Sequence, residues 1–308
     1  KHSAYGFNDQ GTYIDNIFPL FNYNSDYSVN YYQMSQKPSN GIDFDEGQGG
    51  MSLLSPNVQL IFGKFQTSIG PFYKGNLSVS KNSPSFPQFI LKANYKKKIY
   101  FSYLLGSLKS NISTSYGDYS IDVSDLYIDE WLLNEDENHI YTWYNDYISS
   151  INNVSNSNNV FQRYIINHRL DFIFKDNIRL GIYEQIIFGA KSPPLSYLIP
   201  LNPLWSSQHS GNDLDNLQIG IDWDYYLKGY RIYGAMMIDE WAPFDTFSDN
   251  ERNWFAYQIG FSRILNISDK RALMKIEYAL IDPRAYTHRF IINQPKHNGY
   301  NLGYWSEN

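Results

Sequence analysis

The sequence predicts an all-β protein: an antiparallel, up-and-down barrel that crosses a membrane on its strands and carries long extracellular loops. Three observations predict it. Apolar and polar residues alternate with period two along most of the chain. Aromatics are 18% of the residues, with 28 Tyr, 19 Phe and 7 Trp. Short connections alternate with long ones. Tyr-rich apolar faces suit a membrane–water interface, where the ring sits among acyl chains and the hydroxyl in water. Charged residues are 18%, below the roughly 25% of soluble domains, yet mean hydropathy is −0.46. A barrel reconciles the two, because lumen and loop residues dilute its apolar stripes. A soluble β-sandwich or propeller rich in Tyr and Asn is the competing reading. No internal repeat supports a propeller.

The 308 residues suit one large β domain or two smaller ones, and one spanning 1–308 is expected, with 1–57 the least defined part. Val58–Gly63 and Lys64–Ile69 read as an extended stretch broken at Gly63. Leu77 and Val79 alternate with Asn76, Ser78 and Ser80. Phe89, Leu91, Ala93 and Tyr95 form one face against Ile90, Lys92 and Asn94, and Ile99, Phe101, Tyr103 and Leu105 follow after a Lys96–Lys98 turn. His168, Leu170, Phe172 and Phe174 oppose Asn167, Arg169 and Asp171. A Lys175–Asn177 turn leads to Leu180 and Ile182, opposed to Arg179, Gly181 and Tyr183. Leu217, Ile219, Ile221, Trp223 and Tyr225 oppose Gln218, Gly220, Asp222 and Asp224. This stretch alone makes one oily face and one carrying two carboxylates.

After Lys228–Gly229, Tyr230, Ile232, Gly234, Met236 and Ile238 face away from Arg231, Tyr233 and Asp239. Phe255, Tyr257, Ile259 and Phe261 oppose Gln258, Gly260 and Ser262, and Met274, Ile276, Tyr278 and Leu280 oppose Lys275 and Glu277. At Ile186-Ile187-Phe188 both faces are apolar, and parity does not assign them. Residues 107–163 read as a long loop insertion, in which Tyr127–Tyr147 is a short helix or a loop with a small fold of its own. Gly189–Asp215 is a second long connection. Short turns at one end and long loops at the other are the asymmetry of outer-membrane barrels.

The polar stripes hold charges of both signs: Arg169, Asp171, Arg179, Asp222, Asp224, Arg231, Asp239, Lys275 and Glu277. Facing hydrocarbon, each charge would cost roughly 2–4 kcal/mol at mid-depth. They are therefore expected to line a lumen and to pair across strands. Gly181, Gly220 and Gly260 lie mid-strand, where they are expected to ease curvature.

Net charge is −6, and Lys96-Lys97-Lys98 is the only concentrated basic run, so a nucleic-acid partner is not expected. The chain has no cysteine, hence no disulfide, thiol nucleophile or thiolate metal site. No stretch approaches the roughly 18 apolar residues of a transmembrane helix. No signal peptide opens the chain at Lys1, so one has been removed or the chain is an excised piece. Tyr304-Trp305-Ser306-Glu307-Asn308 carries no stop-like feature, and the natural protein is expected to continue.

From Phe65 to Ser107 the order of residues resembles the capsule assembly Wzi-like family of outer-membrane proteins. The shared features are Gly70-Pro71, Gly75-Asn76-Leu77, the run Ser80–Pro87, a strand and turn, and Tyr103–Leu108. The resemblance continues through His168-Arg169-Leu170-Asp171 with Leu180–Glu184, through Pro194–Pro200, and through Met237–Glu240. It ends at Tyr286-Thr287-His288 with His297–Gly303. It covers roughly Val58–Gly303, without the family's periplasmic helical segment. It implies an outer-membrane barrel, monomeric, that binds or helps assemble capsular or other surface polysaccharide and touches outer-membrane lipid.

Asp222 and Asp224 stand about 7 Å apart by strand rise, a spacing compatible with an inverting glycosidase pair. Any Asp-x-Asp strand gives it, and no catalytic role is assigned. Asp239 and Glu240 point to opposite faces. The six histidines, His2, His139, His168, His209, His288 and His297, show no zinc-site spacing. No nucleophile elbow or phosphate-binding loop is present. No cofactor or metal is expected, and His288 and His297 read as solvated loop residues. Sugars stack C–H faces on rings and bond carboxylates through hydroxyls. Candidate binders are accordingly Trp131, Trp143, Tyr144, Asp129 and Glu130, then Trp205 and His209, then Trp241. Loop self-packing and an interfacial girdle compete with that reading. The chain is thus expected to be a non-catalytic, polysaccharide-engaging barrel. A porin or substrate channel, and a soluble all-β carbohydrate-active enzyme, are the alternatives.

Overall fold

The computed structural model describes residues 2–6, 42–81, 83–113, 160–190, 192–210, 215–240, 254–267, 270–282, 284–288, 291–297 and 300–304. Strands β1 (His2–Gly6) and β2 (Ile42–Glu46) pair with each other. Ten further strands form one antiparallel sheet in strict sequence order. They are β3 (Gly49–Leu54), β4 (Val58–Phe65), β5 (Phe86–Tyr95), β6 (Ile99–Ser113), β7 (Val160–Phe174) and β8 (Ile178–Gly189). After them come β9 (Asn216–Leu227), β10 (Tyr230–Glu240), β11 (Trp254–Ile267) and β12 (Lys270–Ile281). Two short helices, α1 (Leu195–Leu198) and α2 (Leu204–Ser210), interrupt the β8–β9 connection. A two-residue pair, β13 (Lys296–His297) with β14 (Tyr300–Asn301), follows β12.

Each strand pairs with its chain neighbours, the cheapest order for loop closure. The connections alternate without exception. Those at 55–57, 96–98, 175–177, 228–229 and 268–269 are short; those at 66–85, 114–159, 190–215 and 241–253 are long. In a meander this puts every short turn at one end. Lys96, Lys97, Lys175 and Asp176 have positive φ, the geometry of primed turns whose twist matches paired strands.

The expected closed barrel is not what these residues form. Among the described residues the sheet is open, and β3 and β12 have one neighbour each. Three local expectations also change. β4 runs unbroken through Gly63, since Gly63 and Gly50 face each other in register and a Cβ on either would meet the other strand's backbone. β6 and β7 extend to Ser113 and from Val160, further than a loop at 107–163 allows. Leu77 and Val79 are not a ladder strand. They belong to a covering segment, where a single bridge joins Ile69 to Val79.

The two faces are inverted relative to a soluble protein. On one, Ile259 is 55% exposed and Tyr278 63%, with Ile182, Ile219, Ile221, Trp223 and Ile276 also exposed. On the other, Asp222 is 1% exposed, and Arg169, Asp224, Gln185, Gln218 and Gln258 are buried. The buried face is covered by residues 66–85 and 284–304. Val79 and Leu302 pack there with Phe86, Ile90, Leu104, Leu108, Ile165 and Ile187.

Candidate functional site

Three tiers line the buried face. Nearest the short turns lies an ion ladder. Arg169 grips Asp171 through Nε (2.8 Å) and Nη2 (2.6 Å), and Asp222 through Nη1 (2.6 Å) and Nη2 (2.8 Å). Arg179 donates Nε to Asp224 (2.7 Å), Nη1 to Asp171 (2.9 Å) and Nη2 to Asp222 (3.0 Å). Arg231 donates Nε to the other Asp224 oxygen (2.7 Å) and stacks over Tyr233 at 4.1 Å. Three guanidiniums cancel three carboxylates, as buried charges require. Register builds the ladder: Gly181 pairs with Asp171 and Asp222, and Arg179 with Asp224.

The mid-strand glycines have a use beyond curvature. Arg169 lies where a Gly181 side chain would sit, and the Tyr183 ring occupies the space above Gly220.

The middle tier is neutral. Ser78 Oγ donates to Gln185 Oε1 (2.8 Å), and Asn167 Nδ2 reaches both (3.2 and 3.3 Å). Gln258 Nε2 donates to the Gly75 carbonyl (2.9 Å), and Arg231 Nη2 to the Pro71 carbonyl (2.7 Å). Glu277 stands apart from the ladder. It accepts from the Tyr73 and Lys74 amides (2.9 and 3.1 Å) and the Tyr233 hydroxyl (2.7 Å). Asp239 likewise accepts from the Tyr286 amide (2.7 Å). The sheet's polar groups thus bind the backbone of covering segments.

The third tier corrects the expectation for His288 and His297: both are buried. His297 Nδ1 accepts the Lys109 amide (3.0 Å) and its ring meets Phe86 at 5.6 Å. Burial foremost, with Arg163 nearby, pushes its pKa down to about 3.

The exposed face has a cover at its long-connection end. Residues of the α1–α2 loop, Tyr197 and Leu204, bury Tyr103, Ile166, Ile186 and Phe188. This settles Ile186-Ile187-Phe188: Ile186 and Phe188 lie under the loop, while Ile187 faces the opposite core. Within the apolar stripe, His168 Nδ1 faces Glu184 Oε1 at 3.1 Å. The same carboxylate accepts the Leu204 amide (3.0 Å) and, more weakly, that of Trp205 (3.5 Å). This pair was not singled out from sequence. The signal was there, since both are polar residues in an apolar stripe, and the 175–177 turn sets them opposite each other.

Trp205 is 55% exposed and packs on His209 at 4.4 Å between ring centroids. His209 Nδ1 lies 3.0 Å from the Trp205 carbonyl oxygen. Trp131, Trp143, Tyr144, Asp129, Glu130 and Trp241 lie outside the described residues, as does the Tyr127–Tyr147 stretch.

The fold defines a class: an antiparallel up-and-down all-β sheet that exposes its apolar side and buries its charges. No helix among the described residues is long and apolar enough to cross a membrane. No family model and no curated protein sequence matches the chain. Its fold is similar to the solved structure of Wzi, an outer membrane protein involved in group 1 capsule assembly in Escherichia coli, a carbohydrate binding β-barrel. The TM-score is 0.51 at 14% identity, over 82% of this chain and 48% of Wzi. The chain therefore spans about half of that structure's length, and the likeness is one of fold.

Proposed function

We propose that the chain is a monomeric, non-catalytic outer-membrane β-barrel that binds capsular or other surface polysaccharide, or helps assemble it at the cell surface. The inverted burial carries the membrane part. A sheet showing Ile259 and Tyr278 outward while hiding Asp222 suits hydrocarbon outside and a polar interior. In hydrocarbon a sheet leaves no edge unpaired, so the sheet is closed there. The likeness to a carbohydrate-binding barrel supports the glycan part. Trp205 offers an exposed ring for a sugar face, and Trp131, Trp143, Tyr144, Asp129, Glu130, His209 and Trp241 are the companion candidates. Asp222 and Asp224 are each held by two guanidiniums, a poor state for acid–base work. Covering segments across the polar face argue against an open channel.

The test combines insertion with binding. The chain is expected to require detergent for extraction, to give no conductance steps in planar bilayers, and to retain capsular polysaccharide. Trp131→Ala, Trp143→Ala and Trp205→Ala together should abolish retention while insertion persists. Unchanged retention would remove the glycan role from these loops. Steady conductance would make the chain a porin, and glycan cleavage by detergent-free protein a soluble enzyme.

A further inference from the structure

The short turns form one continuous basic rim. Backbone hydrogen bonds tie each turn to the next strand along the sheet. The Ile173 amide donates to the Lys98 carbonyl (2.8 Å), Tyr226 to Asn177 (2.8 Å) and Ile264 to Gly229 (3.1 Å). The turns hold Lys96, Lys97, Lys98, Lys175 and Lys228, all exposed, and β12 opens on exposed Lys270 and Arg271. Asp176 and Asp269 are the only carboxylates in these turns, and Asp176 is taken by Lys98 at 2.8 Å. Among the described residues Lys97, Lys175, Lys228, Lys270 and Arg271 make no ion pair. Net charge is −6, and the 114–159 connection holds Asp and Glu with no Lys or Arg. Positive charge is thus gathered at one end, against the sign of the whole chain. Like charges held side by side repel unless an anion lies among them.

Directly behind these charges the outward face is oily. Tyr95, Phe174, Leu227, Tyr230 and Ile267 are exposed. Each is the strand residue next to a short turn, on the outward parity of its strand. We propose that this rim docks on the phosphates of an anionic glycerophospholipid, in the leaflet that meets the short turns. The proposal rests on the membrane-spanning reading above. The order of groups names the partner. A belt of rings and aliphatic side chains followed at once by lysines matches the order within a leaflet, acyl carbon and then phosphate. Lysine stems lie along apolar surface while the ammonium stays wet, as Lys96 does over the Tyr95 ring at 5.1 Å. A soluble acidic polymer would use the charges and leave the belt bare.

The probes are dimyristoyl phosphatidylglycerol and dimyristoyl phosphatidylcholine, which differ in headgroup charge and share their tails. Equal amounts are added to the full chain in detergent micelles, and retained lipids are identified by native mass spectrometry. A basic group near an anionic surface is worth roughly fivefold in affinity, so the wild type should prefer phosphatidylglycerol by about tenfold or more. Added salt should weaken the preference. Lys97→Gln, Lys175→Gln and Lys228→Gln together should make retention of the two lipids equal. The same three positions changed to Arg should keep the preference, as should Lys81→Gln in the 66–85 connection at the opposite end. All variants should keep the wild-type shift in gel mobility on heating, which reports folding independently. Equal retention of the two lipids by the wild type, or an unchanged preference in the triple Gln variant, would overturn the site. Capture of soluble polyglucuronate by the same lysines, with no preference between the lipids, would give the rim to an acidic glycan instead. Extraction of the wild type without detergent would overturn the membrane reading, whatever the lipids do.

Discussion

Two long connections fold back onto the sheet, one over each face, and they do so by opposite chemistry. Residues 66–85 cover the polar face and are held by hydrogen bonds: Tyr73 and Lys74 to Glu277, Gly75 to Gln258, Ser78 to Gln185. Residues of the 190–215 connection cover the end of the apolar face and are held by Tyr197 and Leu204 in an apolar cluster, with the Glu184 carboxylate accepting the Leu204 amide. The inner cover extends across charges and amides. The outer one stops, leaving Ile259, Ile276 and Tyr278 bare. A soluble protein spends its covering segments on oily surface. Here much of the cover lies over charges and amides while Ile259, Ile276 and Tyr278 stay bare, the arrangement expected of the proposed barrel, whose oily side is solvated by something other than this chain.

Breaking the inner side should cost most. Asp222→Ala removes a carboxylate shared by Arg169 and Arg179 and leaves buried positive charge unbalanced. A loss of about 3–5 kcal/mol is expected, read as unfolding by denaturant in vesicles or micelles. A loss under 1 kcal/mol would mean that water reaches the ladder.

The outer side gives the sharper contrast. Ile259→Arg changes a residue 55% exposed in a strand pair far from any cover. In water such a change stays within about 0.5 kcal/mol. Facing hydrocarbon it should cost about 2–4 kcal/mol. Refolding titrations into phosphatidylcholine vesicles measure the difference, and a neutral result there would put Ile259 in water.

Parity made much of this legible. Reading β7 to β10 from sequence places Arg169, Asp171, Arg179, Asp222 and Arg231 on one face because side chains alternate and tight turns fix register. The covers were not legible. Ser78 meets Gln185 across 107 residues and Tyr73 meets Glu277 across 204, and residues 66–85 carry no period that predicts such docking. Leu77 and Val79 therefore imitated a strand. Parity also failed where both faces are covered, as at Ile186-Ile187-Phe188. Barrel closure depends on pairings for β3 and β12 that these residues do not make.

Acid separates the two faces further, because a titrating group on the C-terminal segment, buried against the inner face, resists protonation. His297 belongs to the C-terminal cover, residues 284–304, and is buried against the sheet between Phe86 and the Lys109 amide, with its pKa pushed down to about 3. Unfolded, a histidine titrates near 6.5. Between those values the unfolded chain binds a proton that the folded chain refuses, so stability falls as pH drops from about 6.5 towards 3. At pH 5 the loss should reach about 2 kcal/mol relative to pH 7, at about 1.4 kcal/mol per unit. His297→Gln keeps an acceptor for Lys109 and cannot charge. The wild type and this variant should therefore converge at neutral pH and diverge below 6.5, seen as faster exchange of the Leu302 and Tyr304 amides in the wild type alone. Parallel curves would mean that the C-terminal cover lets a proton in without opening, and that the inner face is wetter than the outer chemistry implies.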